Sequence, residues 1–295
     1  MKSQRAGDLS ALACAVACGL GNIPAKGALE RISPELFNFY MFLFAWIFSS
    51  VPLLRKRERD EIRQVNVKIL GLTFFLAIIF AMAMSLNMTA LKLMEPATVS
   101  FLSRFEVVLT VALAYMILKE KLLFIEILGG AVALGGVFIL KYETNLTISK
   151  GATLMVLSSF FFAGAEIIIK HNIARIGTAS FLFYRNLFLI PIFYIIIVYR
   201  KEAFFLPGID ILLLTMAAGL LLPVLGRATY QMALKRINIS RAALITQATP
   251  ICTALFAFLI LRTYPMPVEW LGGALIIGGV VVVKLAEDRF SRKTN

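Results

Sequence analysis

Ten apolar runs, at about 8–29, 35–54, 68–94, 96–118, 123–140, 150–170, 178–199, 209–233, 237–261 and 268–285, take up most of this chain. One bilayer span needs ~20 mostly apolar residues, and each run is of that order. The shortest, the fifth and tenth at roughly 18 residues, still cross where the bilayer adapts to them. Of the 295 residues, 60% are hydrophobic and only 16% charged, and a soluble core of this length could not hide so much apolar surface. Ten spans consume ~200 residues and leave only short loops. A single all-α membrane domain is therefore expected, with no large soluble part.

The net charge of +13 would suggest nucleic acid in a soluble protein. Here the basic residues fall mainly in short gaps between apolar runs, such as Arg55-Lys56-Arg57 and Lys235-Arg236. That is where topology signals sit. The gaps carry no interleaved aromatics on which bases could stack, so membrane lipids rather than nucleic acid are the expected surroundings. Lys2 and Arg5 ahead of the apolar run Leu9 to Leu20 resemble a signal peptide, but the repeat described next needs this helix, so it is expected to remain. Cys14, Cys18 and Cys252 all lie inside apolar runs, and the lone histidine, His171, lies in another segment from Cys14 and Cys18. No disulfide framework, metal or other cofactor is expected.

Displacing the chain on itself by 143 residues aligns 90–137 with 233–280, with 15 of 48 positions identical. The clearest block pairs Glu126-Ile127-Leu128-Gly129-Gly130-Ala131 with Glu269-Trp270-Leu271-Gly272-Gly273-Ala274, and continues into Gly135-Gly136-Val137 and Gly278-Gly279-Val280. A displacement of 144 aligns 7–58 with 151–202, with 11 of 52 identical, including Lys26/Lys170, Arg31/Arg175 and Phe39-Tyr40/Phe183-Tyr184. Apolar composition inflates chance matches, but it does not explain identical Lys, Arg, Glu and Gly. The chain is a duplication, with repeats at 1–143 and 144–295.

Each copy holds five spans, an odd number, so the second must insert upside down relative to the first. Charge provides an independent test. With the amino terminus inside, 19 Lys or Arg fall on the inner side and seven on the outer, which points to both termini in the cytoplasm. The expected fold is ten transmembrane helices as two inverted five-helix repeats. Such repeats can exchange conformations and open a central site to either side in turn.

Two five-helix halves, each ending in a Leu-Gly-Gly-Ala…Gly-Gly-Val helix, resemble the EamA-type members of the drug/metabolite transporter superfamily over about 7–285. Pro250 stands where that family has a proline in the fourth helix of a half, while the first half has Val107. Lys119-Glu120-Lys121 matches the family's loop glutamate, which Arg262-Thr263-Tyr264 lacks, and Arg185 matches an arginine early in the second helix where Met41 departs. The resemblance implies a carrier in the cell (inner) membrane for metabolites, amino acids or drugs, often an exporter.

A charge at the bilayer centre costs ~2.5–3.5 kcal/mol on insertion scales, so it is paired or faces a wet cavity. Arg104, Glu106, Glu166, Arg185 and Arg227 lie within spans. Arg104 and Glu106 are two apart, about 200° around a regular helix, so one is expected at the cavity and the other on a neighbouring helix. Arg227, Tyr230 and Gln231 fall at i, i+3 and i+4 and form one polar stripe, expected to line a substrate cavity that Asn22, Asn87 and Gln247 face from other helices. Arg104 is a candidate for holding a substrate anion; Glu106 and Glu166 are candidates for proton coupling. Antiparallel parity puts Glu166 and Arg227 at similar depth, where a bridge between them could serve as an inner gate or be permanent, or Glu166 could pair with Lys170 at i+4 instead. Arg185, early in its span, reads as structural, either snorkelling to the surface or capping neighbouring carbonyls. The glycines of the fifth and tenth helices read as close-packing faces, between halves or between two copies of the chain.

No His/Asp/Ser grouping or nucleophile signature points to catalysis. Three in-span arginines against two glutamates favour an anionic or zwitterionic solute such as an amino acid or other carboxylate. Two other classes compete: a membrane-embedded enzyme or lipid-handling protein, which would need a catalytic cluster or an interfacial groove, and a receptor or assembly protein, which would need a sizeable soluble surface.

Overall fold

The computed structural model describes the chain apart from residues 1, 52–55, 64, 119–123, 142–145, 173–177, 235, 238–241, 243–244, 264–265 and 295. The Lys119-Glu120-Lys121 loop and Lys235 lie outside the described residues, as do the side chains of Glu126, Lys170, His171 and Glu269.

Helices α1 (Lys2–Leu29) and α2 (Pro34–Ser50) form the first two spans, and a short α3 (Lys56–Arg63) follows in the linker. The third span is α4 (Val67–Leu93), the fourth is α5 (Pro96–Ser103) with α6 (Phe105–Leu118), and the fifth is α7 (Phe124–Lys141). The second half repeats the order with α8 (Leu146–Asn172) and α9 (Thr178–Tyr199). Its third span is α10 (Ile209–Gly219), a π-helical stretch Leu220–Gly226 and α11 (Arg227–Leu234). The last two are α12 (Thr249–Phe256) with a second π stretch Ala257–Leu261, and α13 (Pro267–Thr294).

Local sequence sets these bounds. Ser33 caps α2 by accepting from Leu36 N–H at 3.3 Å, with Pro34 at the first helical position, where its missing N–H is no loss. Asn66 caps α4 by accepting from Lys68 N–H at 3.0 Å. Pro223 removes one donor inside the eighth span, and the ladder widens to π geometry around it. Helix α9 ends where Lys201 takes φ 55, and the second π stretch ends where Arg262 takes φ 59.

Leu36, Phe37, Met41, Leu76, Leu91, Leu189 and Phe193 are fully buried in the main core. Large apolar side chains also point outward, among them Phe75 (53% exposed), Phe138 (56%), Ile195 (64%) and Leu259 (52%). Water would penalise so wide an apolar surface; lipid does not. Among the described residues, five stretches are long and apolar enough to cross a bilayer alone, at 4–29, 67–93, 150–169, 180–199 and 209–233. The protein is a multi-pass membrane protein.

Side-chain contacts sort the loops onto two faces. On one, Lys26 Nζ donates to the carbonyls of Leu91, Lys92 and Met94 at 3.0–3.1 Å, Lys92 Nζ donates to Ile32 O at 3.0 Å, and Arg200 pairs with Glu35 at 2.6 Å. Arg31 pairs with Asp210 there as well. On the other, Arg236 donates to Ser10 Oγ at 3.4 Å and Tyr184 donates to Ile62 O at 3.1 Å.

Equivalent residues of the two repeats make equivalent contacts on opposite faces. A Cβ on Gly7 would meet Ile237 at 2.6 Å near the amino-terminal face, and one on the equivalent Gly151 would meet Met94, the equivalent of Ile237, at 2.6 Å near the other. Tyr40 donates to Phe205 O after α9, and its equivalent Tyr184 donates to Ile62 O after α2. Ring stacking of Phe42 on Phe193 at 5.7 Å is mirrored by Asn186 donating to Ser49 Oγ at 3.4 Å. Helices α7 and α13 cross at the pseudo-two-fold axis: a Cβ on Gly136 would lie 2.5 Å from Gly272 O, and one on Gly279 would collide with Gly129 O. Two inverted five-helix repeats produce this pattern; two repeats in the same orientation would not.

Candidate functional site

A cavity of about 240 Å³ lies at the centre of the bundle, and both halves line it. Among the described residues, four charged ones reach it: Arg104 and Glu106 from the fourth span, Arg185 from α9 and Arg227 from α11. Asn22, Asn87, Ser100, Ser103, Ser159 and Thr249 add polar groups, while Phe42, Phe80, Phe162, Met84, Met155 and Leu189 supply apolar walls. An apolar enclosure with a few convergent polar groups is the usual form of a small-molecule site.

Both fourth helices of the repeat break at this cavity. In the first half the ladder tightens around Arg104, whose N–H donates to Phe101 O at 3.1 Å and whose carbonyl accepts from Val107 N–H at 3.2 Å. In the second half Ala248 N–H donates to Ile245 O at 3.1 Å, next to Gln247, the residue equivalent to Arg104. Pro250 follows at once and has no donor to continue the ladder. Broken helices at mid-membrane are tolerated where they line a polar cavity, and transporter sites are built on them.

The break changes what Arg104 and Glu106 can do. On a regular helix they would point apart, yet both line the same cavity, because Arg104 sits in the turn between α5 and α6 rather than inside either helix. The expectation that one of them would leave for a neighbouring helix is corrected by that turn.

The three arginines are held differently. Arg227 Nη2 donates to Glu166 Oε1 at 3.0 Å, joining α11 to α8, with both side chains about one-third exposed. Glu166 follows the cavity-lining Phe162 by one turn of α8, so this pair sits at the end of the cavity nearer the amino-terminal face. Arg104 donates through Nε and Nη2 to Ser103 Oγ at 3.3 and 3.1 Å. Arg185 is 3% exposed and donates through Nε and Nη2 to Asn186 Oδ1 at 3.3 and 3.0 Å. Its guanidinium lies 5.2 Å from the Phe80 ring centre and 5.7 Å from that of Phe181, a cation–π seat that tolerates burial. Among the described residues, neither Arg104 nor Arg185 has a carboxylate within ion-pair distance.

Of the residues expected at a substrate cavity, Asn22, Asn87, Arg104, Glu106 and Arg227 line it; Tyr230, Gln231 and Gln247 do not. The stripe on α11 descends ~4.5–6 Å over three to four residues, so Tyr230 and Gln231 pass beyond the cavity floor, where Tyr230 packs on the cluster of Ala11, Ala233, Ile237 and Ala242. Gln247 is buried in the break of the ninth span. Glu166 meets the cavity only through Arg227. The residue sequence reasoning placed elsewhere is Arg185. It begins its eighth residue into α9, about 10 Å along the helix, too deep to reach a surface, and that count was the available signal.

The EamA-like transporter family matches the chain twice, over residues 5–142 and 149–285. Among curated proteins, the uncharacterized transporter sll1164 of Synechocystis sp. is 25% identical over 230 residues, covering 72% of this chain and 66% of that protein, just under two thirds of its length. A solved crystal structure of a protein superposes with a TM-score of 0.67 over 98% of both chains at 17% identity; that likeness speaks to the fold alone. With the family matched across both halves, this chain belongs to the EamA-like transporters of the drug/metabolite transporter superfamily.

Proposed function

We propose that the protein is a carrier in the cell (inner) membrane, with both termini cytoplasmic, that moves a small anionic or zwitterionic organic solute by alternating access. The observation that supports this most is the central cavity at the junction of two inverted halves, with two arginines facing it that have no carboxylate within ion-pair distance among the described residues. A buried charge of this kind is costly unless a ligand or water meets it. Inverted repeats around one site supply the means to expose it to either side. Export is the direction suggested by the family resemblance.

The Glu166–Arg227 pair is read as a gate between the cavity and the amino-terminal, cytoplasmic face, parting when that side opens. Glu106, which lines the cavity beside Arg104, is the candidate for proton coupling. Solute counterflow in proteoliposomes tests the carrier reading. Purified protein should accumulate a labelled carboxylate or amino acid against an opposing gradient of the same solute. No accumulation across a panel of metabolites would reject it.

A further inference from the structure

We infer that the solute's negative group is seated by Arg185, with Arg104 beside the same cavity, and that the preferred cargo is a monocarboxylate carrying an apolar tail rather than a zwitterion. This rests on the carrier reading and narrows it.

Charge balance comes first. The cavity and its immediate backing hold three guanidiniums, Arg104, Arg185 and Arg227, and two carboxylates, Glu106 and Glu166. With both carboxylates ionised the sum is one positive charge. A single net negative charge in the cargo cancels it, whereas a zwitterion brings no net charge and leaves the surplus uncancelled within the bilayer.

Geometry then selects which arginine receives the anion. Arg227 is engaged with Glu166 at 3.0 Å. Arg185 is the most deeply buried of the three, yet among the described residues its bonds go to one neutral oxygen, Asn186 Oδ1, through Nε and Nη2. A guanidinium has five N–H donors in a planar fork suited to a carboxylate, so Arg185 retains donors for an anion. Asn186 is fully buried and itself anchored to Ser49, and the Phe80 and Phe181 rings hold the guanidinium plane in place. That is a preorganised seat. The Phe42, Phe80, Phe162, Met84 and Leu189 walls offer the remainder of the cargo an apolar surface.

Three probes sharing one ring isolate the charged groups: 3-phenylpropanoate, phenylalanine and phenethylamine. Binding of each to the purified full chain in detergent should rank 3-phenylpropanoate first, phenylalanine at least about tenfold weaker, and phenethylamine without saturable binding, a tenfold step matching one charge-assisted hydrogen bond. Arg185→Gln should weaken 3-phenylpropanoate by about tenfold or more, and Arg185→Lys should recover part of the loss, since the point charge returns without the fork. The seat is overturned if phenylalanine or phenethylamine binds as tightly as 3-phenylpropanoate, if 3-phenylpropanoate does not bind saturably, or if a folded Arg185→Gln protein keeps wild-type affinity. Should that variant not fold, the ranking on the wild-type protein decides alone. Counterflow separates this inference from the carrier reading. Transport of phenylalanine without 3-phenylpropanoate leaves a carrier but removes the seat, whereas saturable 3-phenylpropanoate binding with no counterflow of any solute keeps the seat and removes the carrier.

Discussion

Asn22, Met41, Arg104 and Glu106 occupy in the first half the positions that Glu166, Arg185, Gln247 and Thr249 occupy in the second. All but Met41, Glu166 and Gln247 line the central cavity, and no pair is conserved in charge. The fifth helices behave otherwise: Gly129, Gly130, Gly135 and Gly136 recur as Gly272, Gly273, Gly278 and Gly279, and of these Gly136 against Gly272 and Gly279 against Gly129 make the same crossing from both sides. The difference separates two demands on a duplicated chain. A crossing on the pseudo-two-fold axis is made twice by one sequence, so a change in either copy strains the shared contact. A cavity that holds one asymmetric solute needs a charge in one place only, and its two walls are free to diverge.

The largest expected effect tests the symmetric part. A Cβ on Gly136 meets backbone at Gly272, and one on Gly279 meets backbone at Gly129 and Ala133. Backbone cannot rotate aside, so Gly136→Ala and Gly279→Ala should each lower stability by about 3 kcal/mol, the upper end for overpacking. Nothing lies within 4 Å of a Cβ on Gly135 or Gly278, so alanine there should be neutral or slightly favourable. Thermal unfolding in detergent checks all four. Unequal losses at Gly136 and Gly279 would show that the crossing is not shared evenly.

That crossing also marks how far the sequence could be read. The duplicated Gly-Gly blocks and the odd span count were enough to specify inverted repeats, because parity and residue identity survive without coordinates. The cavity was only half legible. Arg104, Glu106 and Arg227 could be found as charges inside apolar runs, but the turn that brings Arg104 and Glu106 to one side is a local departure from helical period that no pattern of apolar residues encodes. The first half has Val107 where Pro250 breaks the second, so the break there carries no proline signal. Tyr230 and Gln231 were misplaced for the opposite reason: a regular stripe was extended past the depth at which the cavity ends. Arg185 reads as structural from its place early in α9, and only its depth along that helix shows that it reaches the cavity.

Next in size is the asymmetric pair. Glu166→Gln gives the second half the amide chemistry that Asn22 brings in the first, and it leaves Arg227 without its carboxylate. Removing one member of a buried pair costs about 3–5 kcal/mol. With both side chains one-third exposed, water screens the survivor, and about 2 kcal/mol is expected. Arg227→Gln on top of Glu166→Gln should recover stability relative to Glu166→Gln alone, since no uncompensated charge remains. Thermal unfolding of the singles and the double completes the cycle. An additive cycle would mean that the two side chains stand side by side without coupling, and the gate would lose its physical basis.

The smallest effect returns to symmetry, at the tyrosines. Tyr40 ties α2 to the chain after α9 on one face, by donating to Phe205 O at 2.9 Å. Tyr184 ties α9 to α3 on the other, by donating to Ile62 O at 3.1 Å. Phenylalanine at either position keeps the ring and removes one hydrogen bond, worth about 1 kcal/mol. If these are equivalent clasps on the two faces of a machine that opens alternately, the static losses should match while the transport consequences diverge. Tyr40→Phe should ease opening at the face of Lys92 and Phe205, and Tyr184→Phe at the face of Ser10 and Arg236. Cysteine labelling at residues introduced into each end of the cavity, compared between the two variants, reads this directly. Equal accessibility changes at both ends in both variants would show that the hydroxyls fasten loops without biasing which side opens.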